Sequence, residues 1–191
     1  MKAMESMKDN EYDLAIVDPP YGLERFKKGI GKNDRHKIKA GNGFNNLIPN
    51  KYYFSELKRV SKKQIIWGAN NFTLPKSEYF IIWDKKLTVD NFASAEYAWT
   101  NCKKPAKVFR YVWNGMIQNN MKNKEIRIHP TQKPVQLYKW LLKNYGFNKD
   151  GSKRSIVDTH GGSMSIALAC HDMKFSLDLW ELDEDYYKAG V

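Results

Sequence analysis

Long apolar runs and cysteines are scarce in this sequence, and each scarcity argues against a class of protein. No stretch of about 18 or more apolar residues occurs, so no segment is suited to span a membrane. The first residues lack the apolar stretch of a signal peptide. Two cysteines, Cys102 and Cys170, are too few for a disulfide framework and lack the spacing of metal ligands. We therefore expect a cytoplasmic protein that has no metal site and no membrane contact.

The composition is that of a folded protein with an excess of positive charge. Its 191 residues are 42% hydrophobic and 14% aromatic, which fits one globular domain over residues 1–191. Lysine and arginine total 32 against 21 for aspartate and glutamate, which gives a formal net charge of +11. Such an excess favours nucleic acid as a partner, because each phosphate contact releases counterions. Solubility alone is the alternative explanation of the charge.

Short apolar runs alternate with helical patterns along most of the chain. Runs of strand type cover residues 14–17, 64–67, 79–83, 96–99, 107–113, 155–158 and 176–182, and helical spacing covers residues 52–60, 134–145 and 163–171. This alternation predicts an α/β fold whose mostly parallel sheet has helices on both faces. We also predict that segments 96–99 and 107–113 pair as an antiparallel hairpin.

Residues 22–50 show neither strand nor helix periodicity. Glycines are interleaved there with lysines and arginines, which predicts a mobile basic loop. Such a loop either contacts a ligand and its phosphates or is a disordered segment that aids solubility.

The segment Asp18-Pro19-Pro20-Tyr21 follows the first predicted strand. Both prolines have a fixed φ and no N–H, so the backbone is stiff and offers only carbonyl acceptors. The Asp18 carboxylate adds a second acceptor and Tyr21 an aromatic face, which together suit a planar base bearing an amino group. A rigid turn after a strand is the alternative. If the strands ending at Asp18 and Asp158 are neighbours, their loops face one crevice at the carboxyl edge of the sheet.

A glycine-rich turn joins a later strand to a helix. It consists of Asp158, Thr159, His160, Gly161, Gly162 and Ser163. The glycines permit close approach of a ligand to the backbone, and free N–H groups at the helix start suit a carboxylate. Roughly twenty residues later come Glu181 and Asp183, where nucleotide-binding units hold ribose hydroxyls with a carboxylate. An acid favoured by a helix dipole is the alternative for Glu181.

The segment 129–134 precedes the helix that leads into this unit. Its Lys133 is suited to meet a carboxylate, and Pro134 is suited to begin the helix. By itself, His129 is more typical of a loop or packing histidine than of a catalyst.

Together these segments resemble the β-class amino-methyltransferases of DNA, in which the catalytic motif precedes the donor-binding motifs. Asp18-Pro19-Pro20-Tyr21 matches the catalytic tetrapeptide of that family. Residues 67–70 and 83–85 are similar to segments that follow it in adenine methylases of phage and prophage type. The donor-binding segments resemble, in the same order, residues 129–134, 156–169 and 181–186.

The resemblance implies an S-adenosylmethionine-dependent methyltransferase that acts on the exocyclic amino group of adenine in DNA, as a monomer or homodimer. It implies a Rossmann-like fold with a seven-stranded mixed sheet, an antiparallel hairpin edge and helices on both faces. The implied catalytic residues are Asp18, Pro19, Pro20 and Tyr21. The implied donor-binding residues are His129, Thr131, Lys133, Pro134, Asp158, Thr159, His160, Gly161, Gly162, Ser163, Glu181 and Asp183.

The resemblance also implies how DNA is engaged. The target adenine is expected to be flipped over Asp18, because its amino group is not accessible inside a stacked pair. The basic loop at 22–50 is then expected to contact phosphates. No separate target-recognition domain is evident, and only residues 22–50 and 101–128 are candidates for that role.

Departures from the family pattern leave alternatives open. Met164 stands where the family has glycine, His160 stands where it has phenylalanine, and both chain ends are short for the family. A non-catalytic DNA-binding relative without donor binding is therefore one alternative. A cytosine-N4 methyltransferase is another, because it uses the same two acceptors, although Asp18 resembles the adenine enzymes more. Methylation of RNA or of a glutamine side chain in a protein is a third alternative. Enzymes that methylate glutamine typically have Asn at the position of Asp18, which argues against that substrate.

Overall fold

The computed structural model describes residues 2–22, 48–86, 93–114 and 117–191. The described residues form seven strands, β1 Tyr12–Val17, β2 Ser61–Trp67, β3 Phe80–Asp84, β4 Ala95–Thr100, β5 Lys107–Arg110, β6 Ile156–Asp158 and β7 Leu177–Leu179. They also form five α-helices, α1 Lys2–Glu5, α2 Lys51–Val60, α3 Val135–Tyr145, α4 Ser165–Met173 and α5 Glu184–Gly190. The predicted basic loop at 22–50 lies outside the described residues from 23 to 47.

The seven strands form one mixed sheet in the order β5-β3-β4-β2-β1-β6-β7. Strand β1 is parallel to both β2 and β6, and β7 is parallel to β6. The chain leaves β1 towards β2 on one side and returns to β6 on the other. The switch point of the sheet therefore lies between β1 and β6, where α/β proteins of this kind bind ligands.

The predicted hairpin between segments 96–99 and 107–113 is wrong. Strand β4 lies inside the sheet, antiparallel to both β2 and β3, whereas β5 lies at the edge and is parallel to β3. The antiparallel hairpin is formed by β3 and β4 instead. An apolar run shows which residues form a strand but not which strand is its partner, because partner choice depends on both faces of the finished sheet.

The alternation of side chains along β1 and β2 divides the core between the two faces of the sheet. On one face, the buried side chains of β1 and β2 pack with α3 and α4: Leu14, Ile16, Ile65, Trp67, Leu137, Leu141 and Ile166. On the other face, the alternate residues of β1 and β2 pack with buried side chains of α2. These residues are Ala15, Val17 and Ile66 of the strands and Tyr53, Leu57 and Val60 of the helix. Successive residues of a strand point to opposite faces, so both faces of these strands are covered by helices.

Two helices begin where the sequence provides a suitable residue. The side chain of Asn50 accepts a hydrogen bond from the Tyr53 N–H and caps α2, which satisfies one of the free donors at the helix start. Pro134 stands directly before α3 with φ −67° and ψ 145°. The helix begins at Val135, so Pro134 precedes α3 and is not its first residue as predicted. Within the described ranges, no helix has the length and apolar character needed to cross a membrane.

Leu141 provides a test of the packing between α3 and the sheet. Its side chain is fully buried, so we expect Leu141→Ala to lower the free energy of unfolding by about 2–5 kcal/mol. Lys143 is exposed on the same helix, and Lys143→Ala is expected to change it by less than about 0.5 kcal/mol. Urea unfolding of the two variants measures the difference, and equal effects would contradict the placement of α3.

Candidate active site

Two acidic side chains lie at the carboxyl edge of the sheet on either side of its switch point. Asp18 follows the last residue of β1, and Asp158 is the last residue of β6. The two strands are hydrogen-bonded neighbours, with Leu14 opposite Ile156 and Ala15 opposite Val157. The two strands are therefore neighbours at the switch point, which is the condition under which their loops are predicted to face one crevice.

Asp18 is held from two directions by side chains that donate hydrogen bonds. The Tyr21 hydroxyl donates to Asp18 Oδ1. The Lys133 ammonium donates to Asp18 Oδ2, with an N···O distance of 2.5 Å. Pro19 is buried and Pro20 is half-buried, so the stiff backbone of the tetrapeptide fixes the carboxylate between these two donors.

The ring of Tyr21 is fixed by Gly68 and Phe72. Gly68 has φ +66°, and a Cβ at this position would overlap the Tyr21 ring. Phe72 meets Tyr21 edge to face, with 6.0 Å between the ring centroids. The turn that follows β2 therefore determines where the aromatic residue of the tetrapeptide lies.

Lys133 joins Asp18 to a second carboxylate, that of Glu96 on β4. The Lys133 Nζ lies 3.0 Å from Glu96 Oε2, and its side chain is 2% exposed. Glu96 Oε1 lies 2.6 Å from the Lys85 Nζ. Four charges of alternating sign, those of Asp18, Lys133, Glu96 and Lys85, thus run from the Asp18–Tyr21 tetrapeptide to the hairpin of β3 and β4. We refer to these four residues as the charge chain.

Burial and the neighbouring charges act in opposite directions on the members of the charge chain. Burial raises the pKa of Asp18 and Glu96 raises it further, whereas the Lys133 ammonium lowers it, and the net shift is upward. Burial also raises the pKa of Glu96, but Lys133 and Lys85 outweigh it and lower that pKa to about 2. Burial would lower the pKa of Lys133, yet Asp18 and Glu96 hold it above its usual value. Lys133 and Glu96 are therefore charged at neutral pH.

The glycine-rich turn is ordered by contacts with α2 and β7. The Tyr53 hydroxyl lies 2.8 Å from Thr159 Oγ1, and the rings of Tyr53 and His160 meet edge to face at 5.3 Å. Burial lowers the pKa of His160 to about 4, so its ring is neutral at pH 7. Gly161 lies against Leu179, where a Cβ would come within 2.5 Å of Leu179 Cδ2. The backbone of this turn therefore packs closely against the end of β7.

Glu181 faces the same turn from the segment after β7. Its Oε2 accepts a hydrogen bond from the Gly162 N–H at 2.5 Å, and its Oε1 accepts one from the Asp183 N–H at 2.8 Å. The Asp183 side chain caps α5 by accepting from the Asp185 and Tyr186 N–H groups. Glu181 thus lies beside the glycine-rich turn, whereas Asp183 is held as the cap of a helix.

The segment 129–134 divides between the two halves of the site. His129 Nδ1 lies 3.1 Å from Thr131 Oγ1, and its ring is 4.3 Å from that of Tyr186. Gly162 packs against this ring, and burial lowers the pKa of His129 to about 4. His129 and Thr131 therefore lie with the glycine-rich turn. Lys133, expected to bind the donor, is instead paired with Asp18 and Glu96.

Met164, which stands where the family has glycine, combines a glycine-like backbone conformation with a buried side chain. It has φ +58° and precedes α4, so it adopts the left-handed conformation that glycine adopts without steric penalty. For a residue with a Cβ this costs about 1–2 kcal/mol. The Met164 side chain is buried against Gly190 at the end of α5. The Met164 side chain thus makes a buried contact between the glycine-rich turn and α5 that a glycine could not make.

The sequence patterns do not identify Glu96 and Lys85 as members of this site. Segment 96–99 is predicted only as an apolar strand, and Lys85 only as part of a family-like segment. The signal available for Glu96 is an acidic residue near the start of a short apolar strand. Across the described ranges, no group of three or more His, Cys, Asp or Glu side chains is arranged to hold a metal ion.

Comparison with known proteins agrees with this geometry. A family model described as DNA methylase matches residues 42–191. The chain belongs to the DNA methylase family. The crystal structure of the M1.HpyAVI–SAM complex is similar to this methylase over 98% of this chain and 90% of its own, at 18% identity and a TM-score of 0.51. The cytosine-N4-specific PvuII DNA methyltransferase is similar over 98% of this chain and 80% of its own, at 13% identity and a TM-score of 0.56.

A comparison with curated protein sequences gives no match. At identities of 18% and 13%, the solved structures show the fold of this methylase rather than its substrate. They confirm the Rossmann-like methyltransferase fold with its mixed sheet of seven strands. The predicted membership of the DNA amino-methyltransferases is confirmed by the family match.

Asp158 provides a test of the electrostatics of the site in this methylase. Burial raises the pKa of its carboxyl from 3.8 to about 8, against the hydrogen bond from the His160 N–H. Between these two pH values the folded protein binds more protons than the unfolded chain, so this group makes stability fall as pH rises. We expect Asp158→Asn to remove part of that fall, because the amide stays neutral.

Unfolding by urea between about pH 5 and pH 8 measures this dependence. Asp9→Asn, at an exposed position, is the control and should retain the wild-type dependence. A dependence that is the same in Asp158→Asn and in the wild type would show that Asp158 ionises normally.

Proposed function

We propose that this methylase transfers a methyl group from S-adenosylmethionine to the exocyclic amino group of adenine at specific sites in DNA. The observation that carries the proposal is the juxtaposition of Asp18, fixed by Tyr21 and Lys133, with the glycine-rich turn across the switch point. An acceptor for an amino group and a turn suited to a nucleotide-like donor thus share one edge of the sheet.

The residues around the glycine-rich turn fit S-adenosylmethionine. Gly161 packs the turn against Leu179, whereas the half-buried Gly162 donates its N–H to the Glu181 carboxylate, which lies against the backbone of the turn. Each oxygen of Glu181 accepts one backbone hydrogen bond and keeps a further lone pair, which suits ribose hydroxyls. When bound, S-adenosylmethionine supplies an electrophilic methyl group on a sulfonium centre. His129, Thr131 and residues 158–163 are the other side chains and backbone groups proposed to hold it.

The catalytic tetrapeptide is proposed to act on the amino nitrogen of the base. The lone pair of that nitrogen is delocalised into the ring, which makes it a poor nucleophile. N–H groups that donate to the Asp18 carboxylate and the Pro19 carbonyl favour a tetrahedral nitrogen whose lone pair is free to attack. These bonds are stronger in the transition state than in the ground state, so they accelerate the transfer. Tyr21 provides an aromatic face for the base, and Lys133 favours the ionised form of Asp18.

DNA is the proposed substrate, in keeping with the family and with the net charge of +11. The target base is expected to leave the stack, because Asp18 cannot reach an amino group inside a duplex. The basic residues between 22 and 50 are proposed to contact phosphates.

Asp18 is the sharpest test of the catalytic assignment. We expect Asp18→Ala to abolish methyl transfer to DNA while the dissociation constant for S-adenosylmethionine changes no more than a few-fold. The loss of a transition-state contact of this kind costs roughly a hundredfold or more in rate. Asp9→Ala, which removes an exposed carboxylate, is the control. A variant that keeps more than about a tenth of the wild-type rate would refute the role of Asp18.

Glu181 tests the donor half of the site. We expect Glu181→Ala to weaken S-adenosylmethionine binding about tenfold or more, because a charged hydrogen-bond acceptor is lost. Isothermal titration calorimetry measures the change, with Glu184→Ala on the exposed face of α5 as the control. Wild-type protein that gives no heat of binding would favour a non-catalytic DNA-binding relative instead.

The choice of base has a direct test, because cytosine-N4 transfer uses the same two acceptors. The aspartate at position 18 resembles the adenine enzymes, whereas one structurally similar enzyme is cytosine-N4-specific. Mass spectrometry of nucleosides from DNA incubated with the protein and S-adenosylmethionine should show N6-methyladenine. N4-methylcytosine without methyladenine would overturn the preference for adenine.

A further inference from the structure

Three oxygen atoms lie around the Lys133 ammonium, two of which accept hydrogen bonds from it, while the third, on Glu96, forms an ion pair with it. They are Asp18 Oδ2 at 2.5 Å, Glu96 Oε2 at 3.0 Å and the Tyr21 hydroxyl at 3.2 Å. With a side chain that is 2% exposed, Lys133 has little access to water. The ammonium is therefore shared between two carboxylates, only one of which belongs to the catalytic tetrapeptide.

Glu96 is held in this position by the hairpin of β3 and β4. The Lys85 N–H donates to the Ser94 carbonyl at 2.9 Å, and the Lys85 Nζ lies 2.6 Å from Glu96 Oε1. The second oxygen of Glu96 is thereby left for Lys133. The carboxylate is fixed from its own hairpin and does not depend on Asp18 for its orientation.

Two opposing requirements apply to Asp18 under the proposed function. The carboxyl must stay ionised in a buried place, which Lys133 favours. It must also remain a strong acceptor for the amino group, and a carboxylate that carries the full field of an ammonium is a weaker base and a weaker acceptor. A second carboxylate that shares the ammonium relieves this conflict.

We propose that Glu96 is a positioning residue for methyl transfer, which shares the Lys133 ammonium with Asp18 and so keeps Asp18 a strong acceptor for the target amino group. The inference rests on the proposed function and assigns Glu96 a part in it. The direct effect of Glu96 on Asp18 agrees with the geometry, since the negative charge of Glu96 raises the pKa of Asp18.

Other groups also face Asp18, and none of them replaces Glu96. They are Tyr21 in the tetrapeptide, Tyr53 on α2, Tyr138 on α3 and Asp158 at the end of β6. Burial raises the pKa of each of these groups, so the tyrosines are neutral and Asp158 is largely protonated at pH 7. Among the residues that the structure describes, Lys133 and Glu96 are then the charged neighbours of Asp18 that act on its ionisation.

The experiment compares single-turnover methyl transfer in the wild type, Glu96→Gln and Lys133→Met across a range of pH. We expect Glu96→Gln to lower the rate at neutral pH about tenfold, because Asp18 then carries the whole ammonium field. The rate falls at acid pH as Asp18 becomes protonated, and we call this part of the pH profile the acid limb. In Glu96→Gln the acid limb should move to lower pH. Lys133→Met should move that limb to higher pH, since the cation that favours ionised Asp18 is gone.

Two further variants separate this role from a purely structural one. Glu56→Gln removes a carboxylate that is paired with Arg59 on α2 and should leave both the rate and the acid limb unchanged. Glu96→Asp keeps the charge and should keep the acid limb closer to its wild-type position than Glu96→Gln does. Affinity for S-adenosylmethionine should be the same in Glu96→Gln, Glu96→Asp and Glu56→Gln as in the wild type.

An acid limb that stays in place or moves to higher pH in Glu96→Gln would overturn the proposal, even if the rate falls. The carbon-13 shift of the Asp18 carboxyl follows the same ionisation without turnover. A wild-type protein that transfers no methyl group would refute the proposed function. In that case, an Asp18 titration that still moves to lower pH in Glu96→Gln would show that the electrostatic coupling is nevertheless present.

Discussion

The ion pair between Asp18 and Lys133 is the interaction on which the arrangement of the site depends. It joins the end of β1 to the residue two positions before α3, across 115 residues of sequence. Removing two charges from water is costly, and their attraction offsets this only where the geometry is good and the remaining donors and acceptors are satisfied. Tyr21 contributes to this by donating to the second oxygen of Asp18, and Glu96 by forming a second ion pair with Lys133.

The sheet makes this pair possible by bringing distant segments to one edge. Strands β1, β2 and β6 are parallel, so their carboxyl ends all reach the same edge, and β4 is antiparallel to β2. Glu96 therefore enters the site from near the beginning of its strand, whereas Asp18 and Asp158 enter from the ends of theirs. One antiparallel strand in a mostly parallel sheet places an additional carboxylate next to Lys133. The hairpin of β3 and β4 is thus part of the site as well as of the fold.

The sequence was sufficient to predict what depends on local patterns. Leu14 to Val17 form a strand because a β-branched apolar run fits a sheet covered on both faces, and the approach of Asp18 to Asp158 followed from the strand order of such folds. Glu96 was not predicted, because its importance comes from a contact with Lys133 that is 37 residues away and depends on strand pairing. The pairing of β4 was itself predicted incorrectly. Lys133 was expected to meet a carboxylate, and it does, but sequence alone did not identify Asp18 and Glu96 as its partners.

The two halves of the site differ in the ionisation of their buried side chains. Around Asp18, ionised groups are retained and compensated by neighbours of opposite sign. Around the glycine-rich turn, burial keeps side chains neutral: the pKa of Asp158 is about 8, and the pKa values of His129 and His160 are about 4. No imidazolium then repels the sulfonium of the proposed donor, and Glu181 lies at the same turn with a carboxylate already oriented by two backbone N–H groups. A cationic methyl donor at this turn would therefore meet neutral imidazoles and one carboxylate, that of Glu181, with no like charge from His129 or His160 to oppose it.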